Sequence, residues 1–147
     1  AAFADGSREP YDVVSCATGY KVALPFIDPA QLRGDADGVP RLFLNLLHPA
    51  RDDLAVVGLI QPDSGQWGLT DLQAQLVARM ALAARASPRA TAWLYRQRQL
   101  PPAARTIRYV DSPRHRLEVE HFSYARRLER LIAGMDRRLR PALEMLS

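Results

Sequence analysis

The chain has 147 residues, 48% of them hydrophobic and 24% charged, which suits one modest globular domain with a core and excludes a disordered chain. Its net charge of +4 comes almost wholly from arginine, with Lys21 the only lysine, and this together with abundant alanine reads as coding bias rather than a nucleic-acid surface. No run of about 18 apolar residues occurs and the first residues lack a charged-then-apolar leader, so the expectation is a soluble, cytoplasmic protein without a membrane partner.

The chain opens inside a pattern. Phe3 precedes an Asp5-Gly6 turn and a second apolar run follows, which reads as a β-hairpin whose first strand is too short to begin a domain. The expectation is the C-terminal part of something larger, or a domain whose front was removed. Residues 12–17, DVVSCA, form a continuous β-rich run of the kind covered on both faces. The single Cys16 has no Cys or His at metal-ligand spacing and is expected to be a buried packing thiol. The run stops at Thr18, Gly19 and Tyr20. Pro25, Pro29, Gly34, Gly38 and Pro40 then punctuate an irregular connection over residues 21–40.

Two apolar runs follow, RLFLNLLHP (41–49) and LAVVGLIQP (54–62), separated by ARDD, and their spacing predicts an antiparallel strand pair. Gly58 inside the second marks a close backbone approach. Thr70, Asp71, Leu72 and Gln73 have the form of a capping box ahead of a helix with Leu72, Leu76, Met80 and Ala83 on one face. A second helix is predicted over about residues 88–99, ended by Pro101 and Pro102. HRLEVEHF (115–122) alternates like a short strand. The last helix is predicted from near Ser123, with Leu128, Leu131, Ile132, Met135 and Leu139 facing the core. Arg126, Arg127, Arg130, Arg137 and Arg138 lie largely off that stripe, as a solvated face would. The sequence contains no internal repeat and no low-complexity tract.

The blocks FADGS (3–7), DVVSCATGY (12–20), LPFID (24–28), LFLNLLHP (42–49), LAVVGLIQP (54–62), DLQAQLVARM (71–80) and RHRLEVEHFSY (114–124) occur in an order and spacing similar to the C-terminal part of flavin-containing monooxygenases. An A-T-G-Y alone is shared by many flavoprotein disulfide reductases; its joint occurrence with G-L-I-Q-P and the D-L-Q-A helix is specific.

The resemblance implies an α/β fold: the C-terminal portion of a Rossmann-like flavoprotein with two dinucleotide-binding domains, supplying a few strands and a C-terminal helical part. Residues 1–20 would end the NADP domain and cross back, 41–86 would complete the FAD domain, and 87–147 would form the helical part. In such enzymes NADPH reduces FAD, and the flavin traps oxygen as a C4a-hydroperoxide that oxygenates a soft nucleophilic N or S atom, or a carbonyl in Baeyer–Villiger relatives. The sequence departs from that pattern by holding neither G-x-G-x-x-G fingerprint, whose backbone N–H groups grip the pyrophosphates. Two readings therefore stand: a portion of a monooxygenase whose fingerprints lie outside this chain, or a non-catalytic interaction module or remnant. The partners implied are a missing N-terminal half or a second copy, and a small-molecule substrate, with no nucleic acid.

Within that frame Thr18 and Gly19 bring backbone without bulk either to the cofactor face or merely into a strand-to-loop turn. Gln61, at the end of a strand, could donate to and accept from a flavin edge or a nicotinamide amide, or satisfy local backbone before Pro62. Gln66 and Trp67 share the loop ahead of the helix, Trp67 being a candidate wall for flavin or substrate. The helix N-terminus would favour negative charge on reduced flavin, with Asp71 in the first turn weakening the field. His48, His115 and His121 are too scattered to suggest a metal site. There is no G-x-S-x-G frame for a nucleophile, and no catalytic side chain is assigned.

Overall fold

Three helices enclose the core in the computed structural model, which describes residues 1–17, 23–32, 40–100 and 115–145. Helix α1 is Trp67–Ala86, α2 is Pro88–Gln99 and α3 is His121–Glu144. On α1 the residues at i, i+4 and i+7 spacing, Leu69, Gln73, Leu76, Met80 and Ala83, turn inward. They meet Tyr124, Leu128, Leu131, Ile132, Met135 and Leu139 of α3, and α2 closes against both with Ala90 and Leu94.

The turn between α1 and α2 is a single residue. The Ser87 side chain accepts the Ala90 N–H (3.2 Å) and donates to the Arg138 carbonyl of α3 (3.2 Å), while Pro88 takes the first turn, where its missing N–H costs nothing. Where α2 crosses α3, a Cβ on Gly134 would stand 2.2 Å from the Trp93 ring, so only glycine lets the two helices come this close. The outer face of that indole carries the Arg138 guanidinium, 4.3 Å from the ring centre.

Two short strands, β1 (Gln61–Pro62) and β2 (Glu118–Val119), pair in parallel with Gln61 opposite Glu118 and Pro62 opposite Val119. Each leads into a helix, β1 through residues 63–66 into α1 and β2 through Glu120 into α3. Parallel strands deliver both helix starts to the same sheet edge, side by side.

The predicted starts of α2 and α3 hold within two residues, α1 begins four residues earlier than predicted, and the short strand in HRLEVEHF is present. The hairpin at the start is reduced to one antiparallel bridge between Ala2 and Arg8 around Gly6 (φ 86). Residues 12–17 form no strand: Val13 and Val14 are 81% and 70% exposed, and Cys16, expected inside, is exposed. A two-face-buried strand requires neighbours on both sides, and no described residue supplies them.

The strand pair over 41–49 and 54–62 is also corrected. Leu44 (φ 55) and Asn45 (φ 50) adopt the left-handed region and fold 43–47 into a tight turn, closed by Phe43 N–H to Leu47 O (2.8 Å). Asparagine tolerates this conformation, and the turn drives Leu42, Leu46 and Leu47 together into the core where an extended strand would alternate them. Only a short antiparallel ladder around Leu47 and Ala55 remains. Of the Rossmann-like α/β arrangement, the described residues show a mainly helical mixed fold with a two-strand parallel sheet. None of their helices is long and apolar enough to cross a membrane.

Tyr124 is 6% exposed, and burial pushes its phenol up to about 12 although the Gln73 hydrogen bond pulls the other way. An unfolded tyrosine releases its proton near 10. The stability from the protonated phenol is thus complete below about pH 10 and is lost as pH rises toward 12, at about 1.4 kcal/mol per pH unit for one proton. Tyr124→Phe should make the alkaline limb of a stability profile, followed as urea midpoints from pH 9 to 12, shallower by about one proton. An unaltered slope would place the alkaline transition elsewhere.

Candidate functional site

The edge where β1 and β2 hand over to α1 and α3 gathers most of the residues singled out above. Between β1 and α1 the chain runs Asp63-Ser64-Gly65-Gln66, all exposed, so a rim of residues 58–68 overhangs the helix start. Gly58, at φ 86, begins it, and two glutamine side chains of the α1 segment hold it. Gln66 Nε2 donates to the Gly58 carbonyl (3.0 Å), and the Gly58 N–H donates to Gln73 Oε1 (2.8 Å). Three residues on, the Gln61 N–H donates to the Leu117 carbonyl (2.8 Å), which fastens the rim to the strand before α3.

Gln73 has no exposed surface and spends its remaining donor on Tyr124: Nε2 donates to the phenol oxygen (2.6 Å), which donates to the Leu44 carbonyl (2.6 Å). This chain of bonds satisfies two backbone groups, at Gly58 and Leu44, that irregular segments would otherwise leave buried and unpaired.

The two adjacent helix starts differ. At α3 the Glu120 carboxylate accepts the Phe122 and Ser123 N–H groups (2.9 and 2.7 Å), and Asp63 Oδ1 accepts that of His121 (3.0 Å). Hydrogen bonds from Ser123, then Phe122, hold the Glu120 carboxyl below its ordinary value. At α1 the N-cap residue is Gln66, whose side chain is turned to Gly58 and makes no cap bond. The positive end of α1 therefore carries no side-chain acceptor from its own cap, while that of α3 is neutralised by carboxylates.

Of the predicted site residues, Gln61, Gln66 and Trp67 lie together on this rim, all exposed, Trp67 at 87%. Thr18 and Gly19 fall outside the described residues. The capping box is corrected: α1 begins at Trp67, so Thr70 is already helical, its N–H bonded to the Gln66 carbonyl (3.0 Å), and Gln73 is turned inward. Because α1 starts four residues earlier than a Thr70 cap requires, its first turn holds no acidic residue and Asp71 does not oppose the dipole there.

Sequence reasoning did not find Gln73 and Tyr124 as a pair, nor Glu120 and Asp63 at the α3 start. The signal for Gln73 was present: an amide standing in the apolar stripe of Leu69, Leu76, Met80 and Ala83 requires a buried partner. No group of metal-ligating side chains occurs among the described residues. A shallow groove lined by Asp136, Leu139, Arg140, Leu143 and Glu144 lies at the far end of α3, at 1.5 Å per residue roughly 30 Å from the rim.

Comparison with known proteins adds the family context. Residues 1–141 match the family described as "Flavin-binding monooxygenase-like". The chain is 31% identical over 127 residues to flavin-containing monooxygenase 5 of Mus musculus, covering 82% of this chain and 23% of that protein. It is 35% identical over 75 residues to flavin-containing monooxygenase 1 of Sus scrofa, covering 50% of this chain and 14% of that protein. With the rabbit (Oryctolagus cuniculus) flavin-containing monooxygenase 1 it shares 41% over 58 residues, 38% of this chain and 11% of that protein. The chain thus spans less than a quarter of these relatives' length. No solved structure matches.

Trp67 and Trp93 are the only two tryptophans, and Trp93 is packed against Gly134. Trp67→Ala should change stability by no more than about 0.5 kcal/mol, as for an exposed side chain. It should also abolish most of the acrylamide-quenchable fluorescence. A large loss of stability would mean that Trp67 packs onto the fold.

Proposed function

This chain belongs to the flavin-binding monooxygenase-like family, and from that premise we propose that it is the C-terminal portion of an FAD- and NADPH-dependent monooxygenase acting on a soft nucleophilic N or S atom, or on a carbonyl. The observation that carries the proposal is the family match, which runs through nearly the whole chain, rim and helices included. In the same reading residues 1–20 end the NADP domain and cross back, 41–86 complete the FAD domain and 87–147 form the helical part. Its partners are the N-terminal half or a second copy, and a small-molecule substrate, in a cytoplasmic setting without nucleic acid or membrane.

The rim fits the edge of a flat, electron-rich ring. A Cβ at Gly65 or Gly68 would meet nothing within 4 Å, so the approach is open. The Trp67 ring is free to stack, and the N–H groups of the first α1 turn favour negative charge. Bound flavin would supply the reduction of dioxygen and the transfer of one oxygen atom. The chain's residues would bind and orient: Gln61 and Gln66 by their amides, Trp67 by covering the ring and excluding water. Thr18 and Gly19 belong to the same proposal as a point of close backbone approach. The pyrophosphate and ribose find no fingerprint in this sequence. The sign of the second reading, a non-catalytic interaction module of the family, would be the absence of both fingerprints from the full reading frame.

FAD titrated into the purified chain should bind more weakly than micromolar, because only ring-edge contacts are available. Tight binding with a shifted flavin spectrum would overturn the placement of the pyrophosphate contacts outside this chain. A protein carrying this chain together with both fingerprints should be yellow and oxidise NADPH; a colourless, inert protein would favour the interaction module.

In that longer protein Gln61→Ala should leave FAD content unchanged and raise the hydrogen peroxide formed per NADPH consumed. The lost neutral hydrogen bond is worth about 0.5–1.5 kcal/mol, or roughly a three- to tenfold change in a rate. An unchanged ratio would reduce Gln61 to a loop residue.

A further inference from the structure

We infer that Gln73 and Tyr124 are positioning residues for the rim: their buried hydrogen-bonded chain from Gly58 to Leu44 fixes the backbone that presents Gln61 and Gln66. What the rim contacts rests on the flavin reading above; the coupling is a property of this chain alone.

Gly58 fixes the rim because its peptide groups are gripped on both sides. Its carbonyl accepts from Gln66 and its N–H donates to Gln73, residues seven apart and so on one face of α1. Its φ of 86 suits glycine, and a Cβ there would meet only Gln66 Nε2 at 3.9 Å, so conformation and not space restricts the position. From Gly58 the chain has three residues to reach Gln61, whose own N–H is tied to Leu117. The amides of Gln61 and Gln66 are thus carried by a segment fixed at both ends, one end to α1 and the other to the strand entering α3.

The grip on Gly58 depends on the orientation of one amide. Gln73 can offer Oε1 to Gly58 only while Nε2 is engaged elsewhere, since a buried amide turned either way must satisfy both ends. Tyr124 provides that engagement. Its phenol accepts from Nε2 and passes its own proton to the Leu44 carbonyl, beside the left-handed pair Leu44 and Asn45. Packing alone does not require this arrangement, because a methionine or leucine at 73 would continue the stripe of Leu69, Leu76 and Met80. The amide serves the backbone of the rim.

Amide hydrogen exchange in the 147-residue chain, read residue by residue by NMR without flavin, tests the coupling. In Tyr124→Phe, which keeps the ring and the packing, the Gly58 amide should exchange at least tenfold faster and the side-chain amide signals of Gln61 and Gln66 should shift. Ala83 and Leu94, in the interiors of α1 and α2, should stay within twofold. Gln73→Met should accelerate Gly58 further; if that variant fails to fold, Tyr124→Phe decides alone. Unchanged exchange at Gly58, or equal acceleration at all three amides, would overturn the proposal, the second outcome marking a general loss of stability. Millimolar FAD, enough to populate a weak ring-edge contact, that fails to move the signals of residues 58–67 in the parent chain would count against the flavin reading and leave the exchange result standing.

Discussion

The Gln73–Tyr124 hydrogen bond is the contact on which the irregular half of this fold depends. Helices satisfy most of their own backbone, whereas the segments 43–47 and 58–62 turn through left-handed residues and satisfy only part of theirs. A buried N–H or carbonyl without a partner costs about 1–3 kcal/mol. One glutamine and one tyrosine, on facing stripes of α1 and α3, complete the Gly58 N–H and the Leu44 carbonyl together. The helix pair is thus more than a hydrophobic sandwich: beside the Arg79–Asp136 ion pair nearer the surface (2.6 Å), its buried polar pair sets where two loops lie.

A second polar anchor works in the same way on the other side. The Arg98 side chain at the end of α2 is fully buried, and its guanidinium donates to the His48 and Arg51 carbonyls (2.8 and 2.6 Å) and to Asp52. Gln99 adds a bond to the Pro49 carbonyl (2.8 Å), and His48 Nδ1 accepts the Ala50 and Arg51 N–H groups (3.1 and 2.9 Å). A buried guanidinium is costly to desolvate, and carbonyl oxygens converging with a carboxylate are what makes it tolerable. Segment 48–53, with no regular structure of its own, is shaped around a charge that α2 inserts into it.

These anchors explain which parts of the fold were legible in the sequence. The helices were, because 3.6-residue periodicity, Ser87-Pro88 and the stripe of α3 are local signals. Residues 41–62 were misread because leucine-rich runs are consistent with strands, and the turn at Leu44 and Asn45 draws, beside its local backbone bonds, on a tertiary partner, the Tyr124 hydroxyl. The capping box failed for a related reason. Gln73 has a stronger claim in the core than at a helix end, so the helix extends back to Trp67. Gln61, Gln66 and Trp67 were found because they cluster in sequence. Asp63 and Glu120, which cap α3 jointly, lie 57 residues apart, and nothing local links them.

The chemistry available at the rim follows from the kind of groups it presents. Gln61 and Gln66 are neutral amides that donate and accept whatever the pH; behind them the buried Gln73 amide is spent on Gly58 and Tyr124, and the Tyr124 phenol, raised to about 12, keeps its proton throughout the neutral range. Trp67 offers a surface and a single N–H. The carboxylates nearest by sequence and contact, Asp63 and Glu120, are already spent on the N–H groups of α3. Such a set can orient and enclose a bound ring. The share of these side chains in holding such a ring is geometric. That share is only as good as the fixity of the rim, which leads back from Gln61 through Gly58 to the buried pair between α1 and α3.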